Sequence, residues 1–142
     1  WSVTGVQTCA LPILRSEDYG WTQHPFLQPV TIDGVNYVHY LTQPGSGRAV
    51  SGVSQGRAVL QKGHESIVVG HSHRFDYQEE LTVSLRRIIG LVAGCYFSQY
   101  LPYAGSDNSR WRRGLPTLRN VRAGEFDLEW TSLDEMESRY GD

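Results

Sequence analysis

Residues 66–73, Ser66-Ile67-Val68-Val69-Gly70-His71-Ser72-His73, decide how this chain is read. A short apolar run rich in β-branched side chains reads as a buried strand. It opens directly onto a Gly-His-x-His loop. Neutral imidazoles suit divalent transition metals, so both histidines of this loop are candidate ligands. Ser72 is not followed two residues later by a glycine, so the stretch lacks the pattern of a nucleophile elbow.

Upstream of this strand, Val30-Thr31-Ile32 and residues 35–40 flank Asp33-Gly34, a strong signal for a two-residue hairpin turn, and the second strand ends on His39. Residues 49–62 then carry apolar side chains at Val50, Val53 and Leu60 and reach Gly63, which predicts a helix with Gly63 as its C′ residue. Gly52 and Gly56 weaken that helix. Strand, helix, strand with short connections is a βαβ unit, so the two strands lie parallel and side by side with the helix on one sheet face. Their C-terminal ends coincide. His39, His71 and His73 therefore collect at the edge where open α/β sheets build ligand sites, although 32 positions separate His39 from His71.

Downstream, residues 87–97 contain an apolar β-like run, residues 88–95, in which Gly90 and Gly94 predict a bend or a close backbone approach. Residues 115–121 read as a strand that Pro116 pushes toward an edge or a strand start. Phe126, Leu128 and Trp130 alternate with Asp127 and Glu129, a half-buried strand entered through the turn Arg122-Ala123-Gly124-Glu125. Ser132 and Glu135 are spaced for a capping box on a short C-terminal helix.

His39 and Gly70-His71-Ser72-His73, in this order and context, resemble the C-terminal part of calcineurin-like metallophosphoesterases over about residues 30–130. The resemblance implies an α/β (α+β) fold with mixed sheets, the C-terminal portion of an αββα sandwich. It implies His39 and His71 on one metal ion and His73 on the other, drawn from Mn, Fe, Zn or Ni. The activity implied is hydrolysis of a phosphate mono- or diester by a two-metal site. A phosphorylated small molecule, nucleotide, nucleic acid or phosphoprotein would be the substrate, with no membrane and no obligate protein partner. The family's Asp-x-His, Gly-Asp-x-x-Asp and Gly-Asn-His-Glu segments do not occur between Leu14 and His39. The remaining ligands and the general acid are expected upstream, so the fragment itself is expected to be inactive. Two other readings follow from the same residues. One is a non-catalytic binding or scaffold domain of the same fold, and the other is a structural site with a single zinc.

Residues 2–13, SVTGVQTCALPI, resemble a translated sequencing adapter, and no Met precedes them. Residues 1–13 are expected to stay out of the core, with residues 14–142 forming the C-terminal portion of one phosphoesterase domain. Removing them leaves Cys95 as the only cysteine, unable to form an internal disulfide, which points to a reducing, cytoplasmic compartment. Residues 11–14 are too few to span a bilayer.

The chain has 142 residues, 39% of them hydrophobic, the composition of an ordinary globular domain, and a net charge of -2 supplies no general field for polyanions. Charge is nonetheless segregated, with Arg110, Arg112, Arg113, Arg119 and Arg122 preceding an acidic stretch from Glu125 to Glu137. Two solvated strand faces account for this most simply, and an arginine that holds an anionic substrate is the alternative. Arg74, directly after the histidine loop, is the candidate phosphate-binding residue, with Tyr77 of similar standing. His24 and His64 are assigned to loops and not to the metal. Tyr96, Phe97, Tyr100 and Tyr103, with Trp111, are expected to close a core edge, the alternative being a rim that stacks on a base. Cys95, in an apolar strand with no basic neighbour on it, is not expected to be a nucleophile.

Overall fold

The computed structural model describes residues 2–3 and 16–141. Its main sheet contains β3 (Val30–Ile32), β4 (Val35–Val38), β5 (Ile67–Val69), β6 (Phe75–Leu81) and β7 (Arg87–Ala93), in the order β3-β4-β5-β7-β6. The outer pairs are antiparallel hairpins, while β4, β5 and β7 run parallel at the centre. Helix α1 (Gln55–Gly63) connects β4 to β5. A second, two-stranded sheet is the hairpin β8 (Gly114–Arg122) and β9 (Glu125–Ser132), followed by helix α2 (Leu133–Tyr140). The expected βαβ unit and mixed α/β architecture are present.

Alternation along the central strands explains the layering. Ile67 and Val69 join Val38, Val59 and Val92 in an apolar cluster that includes the α1 side chain of Val59. Val68, one residue out of phase, packs instead with Val35, Leu91 and Phe126, the last of which comes from β9. Period-2 geometry thus assigns one sheet face to the helix and the other to the second sheet. The layers are helix, sheet, sheet.

Close backbone approaches hold the layers together. A Cβ at Gly90 would lie 2.4 Å from the Gly56 carbonyl oxygen, so the glycines that weaken α1 and β7 in isolation are what allow them to touch. On the other face, the Asp33-Gly34 turn meets the β8–β9 turn, where the Gly124 N–H donates to the Asp33 carbonyl at 2.8 Å. Asp33 and Gly34 have φ of 50° and 83°, as a type I′ hairpin requires.

The boundaries differ from expectation in three places. Helix α1 starts at Gln55 and not at residue 49, and its N-terminus is completed from another element: Asp76 Oδ2 on β6 accepts from the Gly56 N–H at 2.8 Å and from Ser54 Oγ at 3.3 Å. At the other end Gly63 is still helical and His64 takes the left-handed position, its N–H bonded to the Leu60 carbonyl at 2.8 Å. Strand β7 ends at Ala93, because Gly94 turns with φ 73° against the Arg112 carbonyl and the Trp130 ring. Ser132 Oγ caps α2 as expected, accepting from the Glu135 N–H at 3.1 Å, whereas the Glu135 side chain pairs with Arg139.

Of the first thirteen residues, Ser2 and Val3 form β1, paired in parallel with β2 (Thr22–Gln23) in a ribbon separate from the main sheet. The rest of that expectation, on residue 1 and residues 4–13, lies outside the described residues. Among the described residues no helix is long and apolar enough to cross a membrane.

Replacing Gly90 with Ala forces a methyl group into the α1 backbone, and overpacking of this kind destabilises by about 1–3 kcal/mol. Urea denaturation of Gly90→Ala is expected to show that loss with an unchanged m-value. A neutral result would contradict the contact.

Candidate metal centre

The parallel register pairs Val38 with Val69, so the next residue of each strand, His39 and Gly70, emerges at the same edge. The ladder continues one step further, with the Gly70 N–H donating to the His39 carbonyl at 3.0 Å. His39 and His71 then meet directly, Nε2 to Nδ1 at 3.1 Å. The distance is that of an imidazole–imidazole hydrogen bond, and it also falls in the roughly 2.9–3.4 Å range between two nitrogens that share one ion at about 2.0–2.1 Å. Phe26 and Tyr40 wall the pair, with ring centroids 5.4 Å from His39 and 4.7 Å from His71 respectively.

The histidine loop has an alternating backbone. His71 and His73 both occupy the left-handed region, with φ of 59° and 58°, a conformation that carries a steric cost for non-glycine residues and is concentrated at functional sites. Between them Ser72 sends its hydroxyl toward the helix, donating to Gln55 Oε1 at 2.6 Å. The Gln55 amide in turn donates to the Val50 carbonyl at 2.9 Å, which fixes the buried side chain.

His73 leaves the loop in another direction. Its ring packs edge-on against Trp111 and Phe97, with centroids 4.7 and 5.2 Å away, and its carbonyl accepts from the Arg112 N–H at 3.0 Å. Thus His39 and His71 are brought into contact, and His73 is held beside them by a separate aromatic packing. Among the described residues no group of three or more histidine, cysteine or carboxylate side chains is clustered as a metal-binding set. A two-metal centre requires donors beyond these three.

Electrostatics favour uncharged imidazoles here. Burial, followed by the neighbouring His71 and His73, lowers the pKa of His39, and burial followed by His71 lowers that of His73. Neutral imidazole is the ligating form, so His39 and His73 need less proton displacement than a free histidine to take a cation.

A cleft of about 580 Å³ is lined by His71, Ser72, Arg74, Asp107 and Trp111 among others. Arg74 thus shares a cleft with His71, and its guanidinium stands 3.9 Å from the Asp107 carboxylate. Tyr77 belongs elsewhere: it bonds Glu79 and lines a separate cleft of about 750 Å³ between β6 and the second sheet. Cys95 is buried, and burial raises its thiol pKa although Arg113 lies near. His64 serves as the α1 cap, and His24 has a buried Nε2 without a hydrogen-bond partner.

Several contributors carry little local signal in sequence. The Gln55–Ser72 bond joins residues 17 apart, and the Phe26 and Tyr40 wall follows from where two loops fold. Asp107 was not singled out in the sequence, although it is the one acidic residue between Cys95 and Arg113. No protein-family model, curated protein or solved structure matches the chain.

Because the folded state resists protonation of His39 and His73, it loses stability relative to the unfolded chain as pH falls below about 6.5, through the lowered native values. Above that pH the two residues add no pH dependence. NMR titration of the metal-free protein is expected to show both imidazoles protonating below 6.5, and values at or above 6.5 would exclude the packing described.

Proposed function

We propose that this chain carries the histidine portion of a metal-dependent phosphoesterase site, acting on a phosphate mono- or diester. The observation that carries the reading is the 3.1 Å approach of His39 to His71 at the shared end of two parallel strands. The resemblance of Gly70-His71-Ser72-His73 to the calcineurin-like phosphoesterases supplies the reaction class.

In this reading His39 and His71 hold one divalent ion and His73 contributes to a second, with Trp111 and Phe97 fixing the His73 ring. Two such ions, when bound, polarise a phosphoryl oxygen and lower the pKa of a bridging water. Arg74, at the edge of the cleft beside His71, orients the phosphate by charge and hydrogen bonding, and releases Asp107 to do so. Ser72 sets the loop by anchoring it to α1. The carboxylate-bearing donors and the general acid belong to the Asp-x-His, Gly-Asp-x-x-Asp and Gly-Asn-His-Glu segments that this sequence lacks, so the 142-residue chain does not hydrolyse phosphate esters. A cytoplasmic setting accords with a free, buried Cys95.

Calorimetric titration with Mn²⁺ or Co²⁺ tests the ligand assignment. Loss of an outer partner of a metal ligand weakens binding about 10–100-fold, so His39→Gln and His71→Asn, which remove ligands, should weaken it at least that much. His64→Asn, which keeps a residue tolerant of left-handed backbone, should bind as the parent does. Equal binding by all of them would remove the assignment. Reading the natural coding sequence on the 5′ side of Leu14 tests the reaction class. All three missing motifs are expected upstream, and a natural continuation through residues 2–13 without them would leave a non-catalytic binding domain.

A further inference from the structure

Residues 95–113 form a single closed loop beside the histidine site. Its ends are paired, since the Cys95 N–H donates to the Arg112 carbonyl and the Gly114 N–H to the Cys95 carbonyl, both at 3.0 Å. A second closure lies inside it: the buried Asn108 side chain accepts from the Leu101 N–H at 3.0 Å and donates to the Leu101 carbonyl at 2.9 Å. The loop is fastened to the candidate site through Arg112 on His73 and through Asp107 beside Arg74. Compact loops of this kind hold their shape without a sheet or a long helix.

What the loop displays is unusual for this chain. Tyr96, Tyr100 and Tyr103 are 64%, 65% and 81% exposed, so they do not close a core edge as expected; only Phe97 and Trp111 pack, against His73. In a protein of net charge -2, residues 95–113 contain three arginines and one acidic residue, Asp107. Arg110 and Arg112 are exposed, Arg110 3.7 Å from the Asp107 carboxylate and Arg112 over the Trp130 ring at 5.6 Å. Arg113 lies over the Trp111 ring at 5.8 Å and donates to the Asn108 carbonyl at 3.3 Å, holding the loop, while Arg74 adds a further cation that shares Asp107 with Arg110. The arginines at 110, 112 and 113 therefore do not belong to a strand face, unlike Arg119, which pairs with Glu129 across β8 and β9.

We propose that this loop binds single-stranded nucleic acid, the exposed tyrosines stacking on bases and the exposed Arg110 and Arg112 taking backbone phosphates. Flat aromatic surfaces accept any base, and guanidinium groups follow the chain charge, which together make a binding surface without strong sequence preference. A free phosphate or small phosphomonoester would use the arginines and leave three exposed tyrosines without a role. A duplex hides its base faces and leaves them equally unused. The assignment of this strand as the substrate, with its scissile phosphodiester at the histidine centre, rests on the phosphoesterase reading. The binding surface does not.

Fluorescence anisotropy with labelled twelve-nucleotide oligo-dT and oligo-rU tests the proposal, using the full chain in EDTA so that metal binding plays no part. Both strands are expected to bind, with affinity falling as salt rises. Tyr100→Ala combined with Tyr103→Ala, at exposed positions, should weaken binding about tenfold or more with the salt slope unchanged. Arg110→Gln should lower the magnitude of that slope by about 0.7. Preference for one sugar would identify the strand as DNA or RNA and equally support the surface. Failure to bind at low salt, equal binding of a duplex, full competition by a mononucleotide at equal phosphate concentration, or indifference to the tyrosine substitutions would each overturn it. Strand binding in EDTA together with absent metal binding would reject the phosphoesterase reading alone.

Discussion

The hydrogen bond from Gly70 N–H to the His39 carbonyl is the constraint on which the candidate centre depends. It extends the β4–β5 ladder past the last paired residues and fixes where both strands stop. Without it, the two imidazoles would sit on independent loops, and the entropy of bringing them together would oppose any shared ligand. Everything that secures this rung also acts on the site: α1 covers one face of β5, the second sheet covers the other, and the Ser72–Gln55 bond ties the loop back to the helix.

Two elements that are weak alone become firm through one another. Helix α1 begins at a serine that makes no side-chain capping bond of its own, and Asp76 on β6 supplies the missing acceptor. The same helix carries Gly56 in its first turn, poor for helix stability, yet that glycine admits the close contact with Gly90 on β7. The left-handed His71 and His73 are a comparable case. Their backbone cost is met by bonds from neighbouring residues, the Ser72 N–H to the Gly70 carbonyl and the Arg112 N–H to the His73 carbonyl.

Much of the architecture was legible because local chemistry and global fold agree. Asp33-Gly34 specified its hairpin, the apolar run ending at Val69 specified a central parallel strand, and Phe126 to Trp130 alternated as a half-buried strand should. Strand β6 was not recognised, although Phe75, Tyr77 and Glu79 alternate with Asp76, Gln78 and Glu80, because its charged residues read as surface loop. The start of α1 was misplaced because its cap is supplied by a residue twenty positions downstream. Juxtaposition of His39 with His71 followed from topology alone, whereas the direction taken by His73 depends on aromatic packing with a distant tryptophan. The tyrosines of residues 95–113 were misjudged for a related reason: hydrophobic pattern cannot tell an aromatic that seals a core from one displayed on a self-closed loop.

The contact between the two hairpin turns, Asp33 with Gly124, has a consequence for how the protein folds. Each hairpin, β3–β4 and β8–β9, forms from residues adjacent in the chain, on the microsecond timescale usual for such units. Docking one turn on the other spans about ninety residues, and so large a loop must be closed before Phe126 can reach Val35 and Leu91. Assembly of the sandwich is therefore the late, slow event. Until it is complete, the apolar face of the central strands is open to solvent and to other chains, and the window for misassembly lies there.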